Sequence, residues 1–157
     1  LHAPVIRGLL KGIDGTTLHY FNTKNTGIDT VALCFESGQH DELASVDNAV
    51  AAIINCLRSV GCVAPHNIEN KHDDRLLKYS ETLPKIADLL YCHDINEGDN
   101  FQMKPGYKNF QWVKKNELLA QDKRGEIRSK SDGLILMPLY QKQGNDGFFL
   151  IDMAESF

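Results

Sequence analysis

The stretch CFESGQH (Cys34–His40) places one carboxylate, Glu36, between the apolar run TVALCF and a Ser-Gly turn. If Thr30–Glu36 forms a strand, Glu36 stands at its carboxyl end, where the active sites of open α/β sheets gather. A carboxylate among apolar neighbours there suits proton transfer. Beside a bound zinc ion it could take a proton from the metal's water and pass it to a leaving amine. Glu36 also reads as a solvated turn residue, or as an electrostatic cap on the helix that follows. His40, four residues on, could position a substrate carboxylate or hold Glu36, and it reads equally as a loop histidine. Gln39 could donate an amide hydrogen bond to the same site.

Other chemistries are poorly served. Catalytic zinc usually takes three protein ligands and keeps a fourth position open. The six histidines form no HxH or HExxH. His66 and His72-Asp73 are the nearest grouping, in a polar link, and His93-Asp94 ends a strand pattern. GxGxxG and GxxxxGK[ST] are absent, so no phosphate-cradling loop is written here. GxSxG is absent too, and Ser37 in ESG is no nucleophile elbow. Phe101, Phe110 and Trp112 lack a basic groove beside them, which favours packing over base stacking.

Two periodicities organise the elements that would hold these residues. VIRGLLKG and TTLHYF flank a turn at Ile13-Asp14-Gly15, and TVALCFE is nearly continuously apolar, as in a strand covered on both faces. Val46, Val50, Ile53, Ile54, Leu57 and Val60 then recur at helical spacing and predict a helix with an oily core face. Ser45 suits its N-cap and Gly61 its stop. A polar link follows, with a short helix expected at Asp73–Glu81. From Ala87 the pattern is short strands parted by turn residues (EGDN, KPGYK, DKRGE, KSD, GND). The expected organisation is an α/β piece over 1–64, a linker with a short helix over 65–86, and a β-rich, barrel-like domain over 87–157. The hairpins resemble biotinyl and lipoyl carrier half-barrels, but Lys123 and Lys130 in their turns lack a neighbouring methionine.

Bulk properties narrow the classes. Of 157 residues, 42% are hydrophobic and 24% charged, which is ordinary for a folded chain rather than a disordered one. The net charge of −4 and the lack of a basic stripe argue against nucleic acid. No run approaches the roughly 18 apolar residues of a membrane helix. Cys34, Cys56, Cys62 and Cys92 sit in apolar surroundings without CxxC spacing and read as buried thiols of a reducing, cytoplasmic compartment, with Cys56–Cys62 as the one disulfide alternative. The chain opens on Leu and an apolar run, as a fragment would.

CFESGQH followed by ASVDNAVAAI resembles the zinc-dependent succinylglutamate desuccinylase and aspartoacylase family, which is similar to the zinc carboxypeptidases. NFQWVKKNELLAQD, GEIRSKSDGLILMPLYQKQGNDGFF and their spacing are similar to the carboxyl-terminal domain of its uncharacterised bacterial branch, so the resemblance runs from about Val31 to Ile151. It implies a mixed-sheet α/β zinc-hydrolase domain followed by a β-rich domain, and hydrolysis of the amide of an N-acyl amino acid or similar small molecule. It makes Glu36 the general base and proton shuttle, and puts Gln39 and His40 in the same segment. A tyrosine of the β domain can reach substrate in that family, and Tyr107, Tyr140 and Tyr91 are the candidates. The family's HxxE, its later zinc-binding histidine and its arginine segment precede the glutamate strand, and none of these motifs stands in the 35 residues before Glu36 here. The expectation is the carboxyl-terminal part of a zinc enzyme, inactive and zinc-free by itself, with a small-molecule substrate, no nucleic-acid or membrane partner, and exposed edges prone to self-association. The rival is a non-enzymatic ligand- or protein-binding module built on a biotinyl/lipoyl-like domain.

Overall fold

A computed structural model describes residues 2–9, 17–39, 42–142 and 144–154. The chain is mixed α/β and divides into two compact units, one of residues 1–4 and 10–83, the other of 5–9 and 84–157.

The first unit is helical. It holds two single-turn helices, α1 (Thr17–Tyr20) and α2 (Thr23–Thr26), then α3 (Leu43–Ser59), a 3-10 turn at Pro65–Asn67, and α4 (Lys71–Ser80). Asn22 caps α2 by accepting from the Asn25 N–H. The end of α3 follows from Gly61, whose φ of 77° lets its N–H reach Arg58 O while the Cys62 N–H reaches Leu57 O. This pair of bonds satisfies carbonyls that every helix end leaves open. Its start differs from expectation. Glu42 is the N-cap, and Ser45 lies inside the first turn, where its Oγ donates to Glu42 O.

Two larger expectations for this unit are corrected. Residues 31–39 are irregular, so Thr30–Glu36 is not a strand, and Cys34 and Glu36 are exposed. A buried strand needs neighbours to complete its ladder, and the described residues of this unit contain no strand. The oily stripe of α3 is not its core face either. The buried positions are Ser45, Asn48, Ala51, Ala52 and Asn55, whereas Val46, Val50, Ile53, Leu57 and Val60 are exposed. Small residues let α4 approach closely: Ala51 and Ala52 pack with Leu76 and Phe35. Polar bonds then favour this face. Arg75 donates to Asn48 Oδ1 and to Ala44 O, Asn55 donates to His72 O, and Arg58 pairs with Asp73. Thus α4 belongs with α3, although its sequence reads as part of a linker.

Among its described residues the second unit holds eight strands: β1 (Val5–Arg7), β2 (Ile86–Asp94), β3 (Gln102–Met103), β4 (Gln111–Val113), β5 (Leu118–Asp122), β6 (Gly125–Arg128), β7 (Gly133–Leu136) and β8 (Asp146–Met153). A five-stranded mixed sheet has the order β1-β2-β8-β7-β4, parallel only at β1–β2, and an antiparallel three-stranded sheet has the order β3-β5-β6. The barrel-like expectation is corrected accordingly, because no ladder joins the two sheets into a closed barrel among the described residues. Met103, Tyr107, Val113, Leu119, Ala120, Ile135, Phe148 and Leu150 form one core. Ala87, Leu134, Leu136, Phe149 and Ile151 form another. Successive side chains of β7 and β8 alternate between these clusters, so both strands are covered on both faces. That explains why GLIL and FFLI read as continuous apolar runs. The aromatics divide: Phe101 and Phe110 pack against the cores, while Trp112 is half exposed.

Candidate functional site

The Glu36 turn is built from its flanks. Phe35 points into the cluster of Ala51, Ala52 and Leu76. One residue past Glu36, Ser37 O accepts from Asn48 Nδ2 at 3.0 Å. Gly38 has φ 135°, and a Cβ there would meet Ser45 Cβ at 3.1 Å, so the backbone lies against the first turn of α3. The Glu42 N–H then donates to Gln39 O. These contacts hold the turn while leaving the Glu36 carboxylate in solvent, with the Cys34 thiol 4.0 Å from Oε1. Its expected apolar surroundings are absent, because Val31 and Leu33 are exposed as well. The Gln39 side chain is exposed, and His40 lies outside the described residues.

Tyr107 and Tyr140 belong to the second unit, where they bond to each other. The Tyr107 N–H donates to Tyr140 Oη at 2.8 Å, and Tyr140 Oη lies within 3.0 Å of Lys104 O and 3.1 Å of Tyr107 O. The buried Tyr107 hydroxyl faces Glu117 Oε1 at 2.8 Å and Leu118 O at 2.9 Å. Burial and the Glu117 carboxylate push the Tyr107 phenol up to about 12. The Lys114 N–H and the Tyr107 hydroxyl hold Glu117 below the usual carboxylate range. Both hydroxyls are therefore engaged in tying the segment 104–107 to its surroundings. Tyr91 Oη lies 3.1 Å from His93 Nδ1, the donor being set by the imidazole tautomer. The His93 ring stacks on Phe148 with centroids 5.3 Å apart, and burial depresses its pKa, so it is held neutral.

Two polar groupings were not anticipated from sequence. Cys92 Sγ lies 3.3 Å from Asp94 Oδ1 and 3.6 Å from Asp146 Oδ1. The signal for half of it is Cys-x-Asp in a strand, since alternate residues share a face. Asp146 joins through a register shift between His93 and Asp94, which leaves Gly147 as the extra residue and sets Asp146 opposite Asp94. These three residues are a group that could hold a metal ion. Burial and the two carboxylates push the thiol up to about 12, so it stays protonated and donates. The second grouping is the buried Asp99. Its carboxylate accepts from the Asn96 N–H and pairs with Lys123 and Arg124 at 3.1 and 3.2 Å. Arg124 also pairs with Asp122. The bond to Asn96 N–H and the Lys123 ammonium lower the Asp99 pKa.

All four cysteines are free thiols. Cys34 and Cys62 are exposed, which corrects the expectation of four buried thiols, and Cys56–Cys62 is not a disulfide. Among the described residues no helix is long and apolar enough to cross a membrane. Comparison with protein families, curated proteins and solved structures yields no match to this chain.

Proposed function

We propose that this chain is the glutamate-bearing, carboxyl-terminal part of a zinc-dependent hydrolase that cleaves the amide bond of a small N-acyl amino acid. The observation that carries this reading is the Glu36 turn, a solvent-facing carboxylate on backbone anchored at Phe35 and Ser37. A proton shuttle needs that combination of a held position and access to water. In the reaction Glu36 takes a proton from the attacking water and returns it to the nitrogen of the departing amine. The stretch CFESGQH and the long carboxyl-terminal pattern support the same reading.

Catalytic zinc does not fit the described residues around Glu36. The group of described residues able to hold a metal, Cys92, Asp94 and Asp146, contains no histidine and belongs to the other unit from Glu36. On this reading the zinc ligands and substrate-binding arginines come from polypeptide outside this sequence, and the chain alone hydrolyses nothing.

The test begins with the encoding gene, read upstream for HxxE and a later histidine, and their absence sinks the proposal. In the full-length product, Glu36→Gln is expected to lower kcat by about 10²–10⁴-fold with zinc content unchanged. A folded, zinc-loaded variant that keeps its rate overturns the role of Glu36. Turnover of N-acyl amino acids by the present chain alone overturns the assignment of the zinc ligands.

A further inference from the structure

We infer that Asn48 is a positioning residue for Glu36, itself oriented by Arg75. This rests on the hydrolase reading and deepens it, because it names what aims the carboxylate. Among the described residues, the Glu36 carboxylate has only the Cys34 thiol beside it, at 4.0 Å. Its direction therefore comes from the backbone on either side. On one side the Phe35 side chain is packed against Ala51, Ala52 and Leu76. On the other the Ser37 carbonyl accepts from Asn48 Nδ2 at 3.0 Å.

Two features single out the Asn48 amide. The first is its place. Asparagine is a weak helix former, yet Asn48 stands inside α3 at 6% exposure, on the face where alanines pack. A buried amide costs stability unless its polar ends are bonded. The second is its fixed orientation. Arg75 Nε can only donate, and it lies 2.8 Å from Asn48 Oδ1, so the amide oxygen faces α4 and the nitrogen is left for the turn. Arg75 is held in turn by Ala44 O at 3.2 Å and Asp47 at 3.3 Å. The contacts thus run from α4 through α3 to the backbone one residue past Glu36. Aspartate at position 48 keeps an oxygen for Arg75 at nearly constant shape. It also turns a second oxygen toward the Ser37 carbonyl, which replaces attraction by repulsion.

The experiment has two arms. In the 157-residue chain, NMR relaxation reads the order parameters of the Glu36 and Gly38 amides, with helix content followed by circular dichroism. Asn48→Asp is expected to lower them from about 0.85 to below about 0.6 with helix content unchanged. Arg75→Met, which frees the Asn48 amide to turn over, is expected to lower them less. Order parameters unchanged in both variants overturn the inference. In the full-length, zinc-loaded enzyme, Asn48→Asp is expected to lower kcat about tenfold to a hundredfold at unchanged KM and zinc content. An Asn48→Asp enzyme that keeps its kcat, beside a Glu36→Gln enzyme that has lost it, overturns the inference and leaves the hydrolase reading standing. A Glu36→Gln enzyme that keeps its rate overturns the hydrolase reading, and the catalytic half of this inference falls with it.

Discussion

Individual side chains show how neighbours decide a residue's chemistry. Cys92 and Cys62 are both free, yet Cys92 donates between two aspartates and its thiol is pushed up to about 12. Because the thiolate is the nucleophile, alkylation at about pH 8 should modify Cys92 at least about a hundredfold more slowly than an ordinary exposed thiol. Mass mapping after brief iodoacetamide treatment should find Cys34 and Cys62 labelled and Cys92 intact. His93 gives a pH signature. Burial depresses its folded pKa below 6.5, so its contribution to stability is present above that value. The contribution declines as pH falls from 6.5 through the folded pKa, since the unfolded imidazole binds the proton first. An NMR titration should place the His93 midpoint below 6.5; a midpoint above it contradicts the neutral stacked ring. Asp99 is depressed by its backbone donor and Lys123, so the stability it adds is present above pH 3.8 and fades as pH falls further.

Strands and helices have their own weak points. A Cβ on Gly147 would come within 2.7 Å of the Phe101 ring and 3.1 Å of the His93 ring. Gly147→Ala should therefore destabilise the protein by about 1–3 kcal/mol, as crowding in a packed core does. It should also disturb the register shift that sets Asp146 beside Cys92, which denaturant melts and the Cys92 alkylation rate would report together. Phe148 is fully buried between Tyr91 and His93, and Phe148→Ala should cost about 3–5 kcal/mol. At the end of α3, Gly61→Ala forces φ 77° on a residue with a Cβ and should cost about 1 kcal/mol in the same melts.

Over the whole molecule, the two units differ in how much they bury. The second has two apolar clusters with Phe148, Leu119, Ile135, Leu150, Ile151 and Val113 fully buried, whereas the first rests on Ala51, Ala52, Leu76 and Phe35. Each fully buried large side chain stabilises by about 1.5–3 kcal/mol, so the second unit should hold the slowest-exchanging amides. Hydrogen exchange should protect β8 longest and open α3 and α4 first. Protection of α3 equal to that of β8 in the dilute chain would contradict this ordering.

The local pattern of the chain was enough for what depends on local rules. Helix α3 and its stop at Gly61 follow from spacing and a glycine's freedom at positive φ. The short helix before Ser80 and the run of strands from Ile86 follow from period and turn residues. The Ser37-Gly38 turn after Glu36 was also legible from its residue types, but its place on irregular backbone against α3 was not. Tertiary structure alone decided which face of α3 is buried, because Arg75, Asn48 and close alanine packing outweigh apolar periodicity where the described residues of its own unit form no strand. It decided as well that Thr30–Glu36 stays irregular, since strand propensity is realised only by a hydrogen-bonded neighbour. The Cys92, Asp94 and Asp146 cluster and the Asp99 network join residues distant in sequence. Their meeting depends on ladder register and one extra residue in β8, which no spacing along the chain records.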